Sequence, residues 1–240
     1  MTRRLLDAFR GLFDGHAYIH RASNLGDRIA VEVYEDIHAL ARSAKFQLSV
    51  DSAQRGVGPQ NKSVTLQRMR RGDGTLGELL DPASARRMTG YAVARGPIAT
   101  VDCGVEVKIL NKAMIKQIDR VVNDIEKQVS NWKSVSADVV SLAVIGVNRA
   151  AYTVGYEGDR SYRTDGVRNK HPFQEAEAAE EHIQRRIIDR GLYDEVLILR
   201  YAATNEAPFP FAWVNEAATE QAYRAVLIRL SNAIQARFQP

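Results

Sequence analysis

Apolar positions recur along the chain with two periods, and the switch from one to the other marks out the elements. Ile29, Val33, Ile37 and Leu40 fall at three- and four-residue steps, which predicts a helix over about 27–44 with Asn24 or Asp27 as its cap. "KFQLSVDS" and "KSVTLQRMR" alternate as short strands do, with a loop "AQRGVGPQN" between them. The glycine- and arginine-rich segment that follows, through Gly90, reads as a surface excursion. "YAVAR" and "IATVDCGVEVKIL" then read as neighbouring antiparallel strands. Ile115, Ile118, Val122, Ile125, Val129 and Trp132 form one apolar stripe of a helix that reaches about Lys133. "DVVSLAVIGVNRA" is apolar almost throughout, the pattern of a central strand covered on both faces. An acidic helix, a second buried strand "DEVLILRYAA" and a last helix from about Glu216 to Phe238 complete the chain.

Strands alternating with amphipathic helices, with no internal repeat and no linker, predict one α/β domain over residues 1–240. Of the 240 residues, 45% are hydrophobic and 26% charged, which fits a folded globular domain and excludes disorder. The opening "MTRRLLDAFRGLFDGH" lacks the unbroken apolar run of a signal peptide. It reads as an amphipathic helix with Leu5, Leu6, Phe9 and Phe13 on one face. No segment has the apolar length needed to span a bilayer. Cys103 is the only cysteine, so an internal disulfide and a cysteine zinc site are excluded, and a reducing cytoplasm is expected. The formal charge of +4 permits a polyanionic partner without requiring one.

The chemistry-bearing stretch is Val101–Val121. Its strand places Glu106 and Lys108 on one face while Val105, Val107 and Ile109 point to the other. A carboxylate there can hold a divalent cation against a phosphate, and the ammonium one step along can orient water or steady developing negative charge. The alternative for the same pair is a solvated strand face with a weak ion pair. Lys112, Lys116 and Arg120 recur every four residues as a basic row that can follow a phosphate backbone or simply face solvent.

Glu106-Val107-Lys108 and the helix residue Gln117 resemble the ExK half-motif and the helix glutamine of the PD-(D/E)xK nuclease superfamily, the restriction endonuclease-like proteins. The order helix, strands, ExK strand, helix, strand over residues 27–147 is similar too. The resemblance implies an αβββαβ core with a mixed central sheet flanked by helices, on which residues 148–240 pack. It implies a Mg²⁺-dependent DNA endonuclease of the restriction or defence type, working as a homodimer or other homo-oligomer. Catalysis would fall to Glu106, Lys108, Gln117 and a second acid, and the family's extra helix acid would be Glu35 rather than Glu32.

The second acid departs from the family pattern, because the chain has no Pro-Asp dipeptide. Asp102 leads if the chain reverses at Cys103-Gly104-Val105, which would set it opposite Glu106. If the strand runs straight, Asp102 lies about 13 Å from Glu106 and the acid must be Asp81 or, behind it, Asp73. His171, in a basic loop, is read as loop structure or a phosphate contact. Two other functions stay open: a non-catalytic nucleic-acid- or nucleotide-binding α/β module, and a hydrolase of another type. No serine, histidine-metal or cysteine-histidine motif supports the second.

Overall fold

The computed structural model describes residues 3–19, 25–58, 72–158, 160–164 and 173–238. Helices α1 (Arg4–Arg10), α2 (Leu25–Leu40) and α3 (Ala44–Asp51) precede strands β1 (Arg55–Val57), β2 (Gly74–Glu78), β3 (Ala94–Arg95) and β4 (Cys103–Leu110). Then come α4 (Met114–Val135), β5 (Val140–Asn148), a ribbon of β6 (Tyr152–Val154) and β7 (Ser161–Arg163), and α5 (Ala176–Ile183), which runs into a π-helical turn, Gln184–Ile188. Strands β8 (Glu195–Ala203) and β9 (Phe211–Trp213) and helix α6 (Glu216–Arg237) end the chain.

Seven strands form one mixed sheet in the order β3-β1-β2-β4-β5-β8-β9. The β1-β2 and β2-β4 pairs are antiparallel, and β4-β5-β8 are parallel. The parallel joins need crossovers, which α4 and α5 supply. One face of the sheet packs Val105, Val107, Leu142, Val144 and Leu199 against α1, α2, α3 and α6. The other packs Leu110, Ala143, Ile145 and Val147 against α4 and α5. β5 is buried at every residue because helices cover both of its faces, so its sequence shows no alternation. No helix among the described residues is long and apolar enough to cross a membrane.

Five expectations change. "YAVAR" and "IATVDCGVEVKIL" are not neighbouring antiparallel strands: β1 and β2 stand between β3 and β4, and β3 pairs with β1 in parallel. "KFQLSVDS" is the helix α3, not a strand: the Ser43 hydroxyl accepts from the Phe46 amide as its N-cap. Leu48, which alternation would have buried, is 71% exposed. The supposed excursion contains β2, buried from Gly74 to Gly77. β4 runs without interruption through Cys103-Gly104-Val105, so no hairpin folds Asp102 over Glu106; a Cβ on Gly104 would lie 2.6 Å from the Trp132 ring, so this glycine makes room for an indole rather than a turn. Finally, α4 begins at Met114, which leaves Lys112 before the helix, and Ile115 is exposed. The expected strand "KSVTLQRMR", the cap Asn24 and His171 lie outside the described residues.

The acids of α2 fasten the helical layer. Asp36 accepts from the amides of Arg4 and Leu5, each at 3.1 Å, and from the Tyr223 hydroxyl at 2.7 Å. These amides open α1 and have no partner within it, so one buried carboxylate ties α1, α2 and α6 together. Burial raises the phenol pKa of Tyr34, Tyr201 and Tyr223 well above 10.0, with Asp36 adding to the rise for Tyr223. The folded state therefore holds these protons more tightly than the unfolded one, where phenols titrate near 10. Stability is unaffected by them below that pH and falls above it, by about 1.4 kcal/mol per tyrosine per pH unit. Circular dichroism and phenolate absorbance should change together on alkaline titration. Phenolate from all three tyrosines in a still-folded chain would contradict this.

Candidate active site

The site lies where β2 and β4 part. Their register pairs Gly74 with Val105, Thr75 with Gly104 and Leu76 with Cys103. Among the described residues, β2 accompanies β4 no further than Val105, and β4 continues alone on that side to Leu110. One more step along the register brings Asp73 level with Glu106, with Cβ atoms about 5 Å apart by ordinary antiparallel geometry. The structure confirms the proximity: Asp73 Oδ2 accepts from the Val107 amide at 2.8 Å. A Cβ on Gly26 would fall 2.5 Å from Asp73 Cγ, so the first turn of α2 presses on this carboxylate. A helix N-terminus favours a negative charge there.

Glu106 is 5% exposed and its Oε1 accepts from the Lys108 ammonium. Burial acts against the charge on Lys108, but the carboxylates of Glu106, Asp73 and Asp124 outweigh it and hold its pKa above the ordinary value. With these carboxylates around it, the lysine is a cation at neutral pH. Asp124 comes from α4, and Tyr193 closes the site from below, its hydroxyl donating to the Ile125 carbonyl at 3.0 Å. Burial raises the Tyr193 pKa, and Glu106 and Asp73 raise it further. Asp73 just before β2, Glu106 on β4 and Asp124 on α4 thus all act on the charge of Lys108.

The other expected residues are elsewhere. Asp102 pairs with Arg55, Nε to Oδ2 2.7 Å, at the opposite end of β4. Asp81 accepts from the amides of Ala83 and Ser84, which with the Ser84 side chain lower its pKa; it is a turn residue on the surface. Glu35 accepts from the amides of Ala92 and Val93 at 2.9 and 2.8 Å, and Glu32 binds Arg4 and the Tyr91 hydroxyl. Both acids hold the 90–93 segment, not an ion. Gln117 donates to the Lys112 carbonyl at 2.8 Å and closes the turn into α4. By helical spacing it shares a face with Asp124 and Gln128. Lys112 is nearly buried, with Glu157 Oε2 at 3.3 Å and the Tyr162 ring 5.2 Å away, so it leaves the basic row.

Sequence reasoning places Asp73 behind Asp102 and Asp81, inside a glycine- and arginine-rich segment that reads as a surface excursion. Asp124 and Tyr193 carry no motif, and only the seven-residue step from Gln117 to Asp124 hints at the first. Asp73 and Glu106 are hard oxygen donors on adjacent strands, a set suited to Mg²⁺, which binds through one or two carboxylates and completes its octahedron with water and phosphate oxygens. Among the described residues no cluster of three or more acids, histidines or cysteines could hold a metal ion. No protein-family model matches the chain, and neither a curated protein nor a solved structure matches it.

Proposed function

We propose that the chain is a Mg²⁺-dependent phosphodiester hydrolase acting on DNA, an endonuclease of the restriction or defence type. The observation that carries this reading is the meeting of Asp73, Glu106 and Lys108 at the parting of β2 and β4. With α3 and the two-residue β3 set aside as insertions, the order α2, β1, β2, β4, α4, β5, three antiparallel strands followed by a crossover to a parallel one, supports an αβββαβ restriction endonuclease-like core. By the same resemblance, the working form would be a homodimer that cuts both strands. Gly72 stands where the family has proline.

Asp73 and Glu106 would hold the ion. When bound, it would supply Lewis-acid stabilisation of the phosphoryl oxygens and acidify a water molecule. Lys108 would leave Glu106 and donate to the attacking water or to a phosphate oxygen, where its charge opposes the one that develops. The Trp132 and Tyr193 rings meet edge to face with centroids 6.3 Å apart, and Glu106 is 5% exposed, so little solvent screens its carboxylate. The second reading, a binding module, draws on the fact that Lys108 already bonds Glu106 and Asp73 already bonds the Val107 amide, a set that is also satisfied structurally. Incubating the protein with plasmid DNA in Mg²⁺ and in EDTA separates the two: conversion of supercoiled to nicked or linear DNA only with Mg²⁺ is the expected result. Binding without cleavage in any divalent metal would favour the module.

On α4, Asp119 lies near Arg186, and Glu126 pairs with Arg186 and Arg190. Lys116, Arg120 and Lys127 are exposed and make no ion pair among the described residues. Their four- and seven-residue steps align them beside the Gln117-Asp124 face. Replacing all three with Gln should weaken DNA binding and lower the slope of log affinity against log salt by about one per lost phosphate contact, with an unchanged melting temperature. An unaltered salt series would assign the row to solvent.

A further inference from the structure

Glu106 already carries a cation. The Lys108 ammonium bonds its Oε1, and the lysine makes no other ion pair among the described residues. The Glu106 side chain is nearly out of water, so its charge is stable only beside a counter-charge. Asp73 is held differently: its Oδ2 accepts from the backbone amide of Val107, a donor without a full positive charge. The two carboxylates at the parting of β2 and β4 thus have one ammonium bonded to one of them. That ammonium can move while the backbone stays fixed. Lys108 lies in the middle of the β4-β5 ladder, level with Ile145, yet its charge ends a flexible four-carbon stem and its side chain is 26% exposed.

Mg²⁺ binds carboxylate oxygens at about 2.1 Å and gives up its water reluctantly, so it competes poorly for an oxygen that an ammonium already holds. We propose that Lys108 is a latch on the metal site: it takes the cation's place on Glu106 in the free protein and yields it when a phosphodiester draws the ammonium away, so that substrate loads the metal. This inference rests on the nuclease reading and deepens it, from which residues form the site to the order in which the site fills. The exchange keeps every charge matched. In the free protein the ammonium offsets Glu106. In the complex the dication offsets Asp73 and Glu106, and the ammonium offsets a phosphate oxygen. A phosphodiester suits this exchange because it offers anionic oxygen to the lysine and to the ion together, whereas a neutral ligand would leave the ammonium on Glu106. Linkage makes the effect reciprocal: duplex tightens metal binding and metal tightens duplex binding by the same factor.

The test counts Mn²⁺, used in place of Mg²⁺, bound to the full chain, by the loss of the free ion's paramagnetic resonance signal. Salt is kept at about 0.15 M, where exposed charges are screened beyond about 8 Å. Without DNA, Lys108→Met should bind Mn²⁺ at least roughly ten-fold more tightly than the wild type, because no charged hydrogen bond has to break first. Lys108→Gln, a second neutral variant, should do the same. Lys108→Arg keeps a cation on Glu106 and should bind Mn²⁺ as weakly as the wild type. A phosphorothioate duplex, which resists cleavage, should tighten Mn²⁺ binding to the wild type and do so by a smaller factor in Lys108→Met, whose site is already open. Neutral variants that bind Mn²⁺ no more tightly than the wild type, or an equal duplex factor in the wild type and Lys108→Met, would overturn the latch. If the wild type still nicks plasmid with Mg²⁺ in that case, the nuclease reading stands without it. Tighter Mn²⁺ binding in the neutral variants and the unequal duplex factors, with no cleavage by the wild type in any divalent metal, would keep the latch and remove the nuclease reading. No Mn²⁺ binding by any of the proteins and no cleavage would remove both.

Discussion

Glu106→Ala and Lys108→Ala should each lower Mg²⁺-dependent cleavage by at least about a hundredfold while the chain stays folded. The Glu106 side chain is 6% exposed and the Lys108 side chain 26%. Removing the lysine leaves a buried carboxylate with less compensation, at a cost of about 1–3 kcal/mol, well short of unfolding a domain of this size. Lys108→Met, which keeps the aliphatic packing, should lose the same activity with a smaller loss of stability. Activity and stability thus separate: circular dichroism spectra should overlay those of the wild type while plasmid cleavage disappears. Full cleavage by either variant would remove the pair from the mechanism.

Asp36→Ala should be the most destabilising single change in the helical layer, at about 3–5 kcal/mol. The carboxylate is 1% exposed and its loss strands three donors, the amides of Arg4 and Leu5 and the hydroxyl of Tyr223, away from water. Leu5, Leu6 and Phe9 of α1 are also buried on this layer, so the loosened helix would expose apolar surface. Asp36→Asn keeps an acceptor oxygen and should cost less, about 1–2 kcal/mol. Urea unfolding followed by circular dichroism measures both. A loss below about 0.5 kcal/mol for Asp36→Ala would show that the amides find other partners.

The elements that a sequence shows best are those whose burial is uniform or strictly periodic. β5 and β8 stand out as apolar runs, and α4 and α6 as long helical stretches, since each buries a continuous stripe or both faces. β2 is hidden because close packing against Ala30 and Thr100 requires glycine at Gly74 and Gly77, residues that otherwise signal loops. Asp73 is hidden with it. α3 is misread because Phe46 and Val50 are buried four residues apart while Leu48, between them, is exposed on a helix too short to establish a period. Glu106 and Lys108 are legible because they are charges in an apolar strand. Glu35 and Asp102 are also buried or half-buried acids, and only the structure shows that they lie away from Glu106, on the amides of Ala92 and Val93 and on Arg55, while Asp73 stands level with it across the parting strands.

The choice of Asp73 over Asp102 as the acid opposite Glu106 is open to direct measurement. Plasmid cleavage in Mg²⁺, with an EDTA control, is compared for Asp73→Asn and Asp102→Asn. Asp73→Asn can still accept the Val107 amide bond through its side-chain oxygen, so its fold should persist while the charge that would hold the ion is gone. Asp102→Asn weakens only the pair with Arg55. Cleavage should be lost in Asp73→Asn and retained in Asp102→Asn. Retention in Asp73→Asn with loss in Asp102→Asn, in variants that melt cooperatively, would contradict the assignment of the site to the parting of β2 and β4.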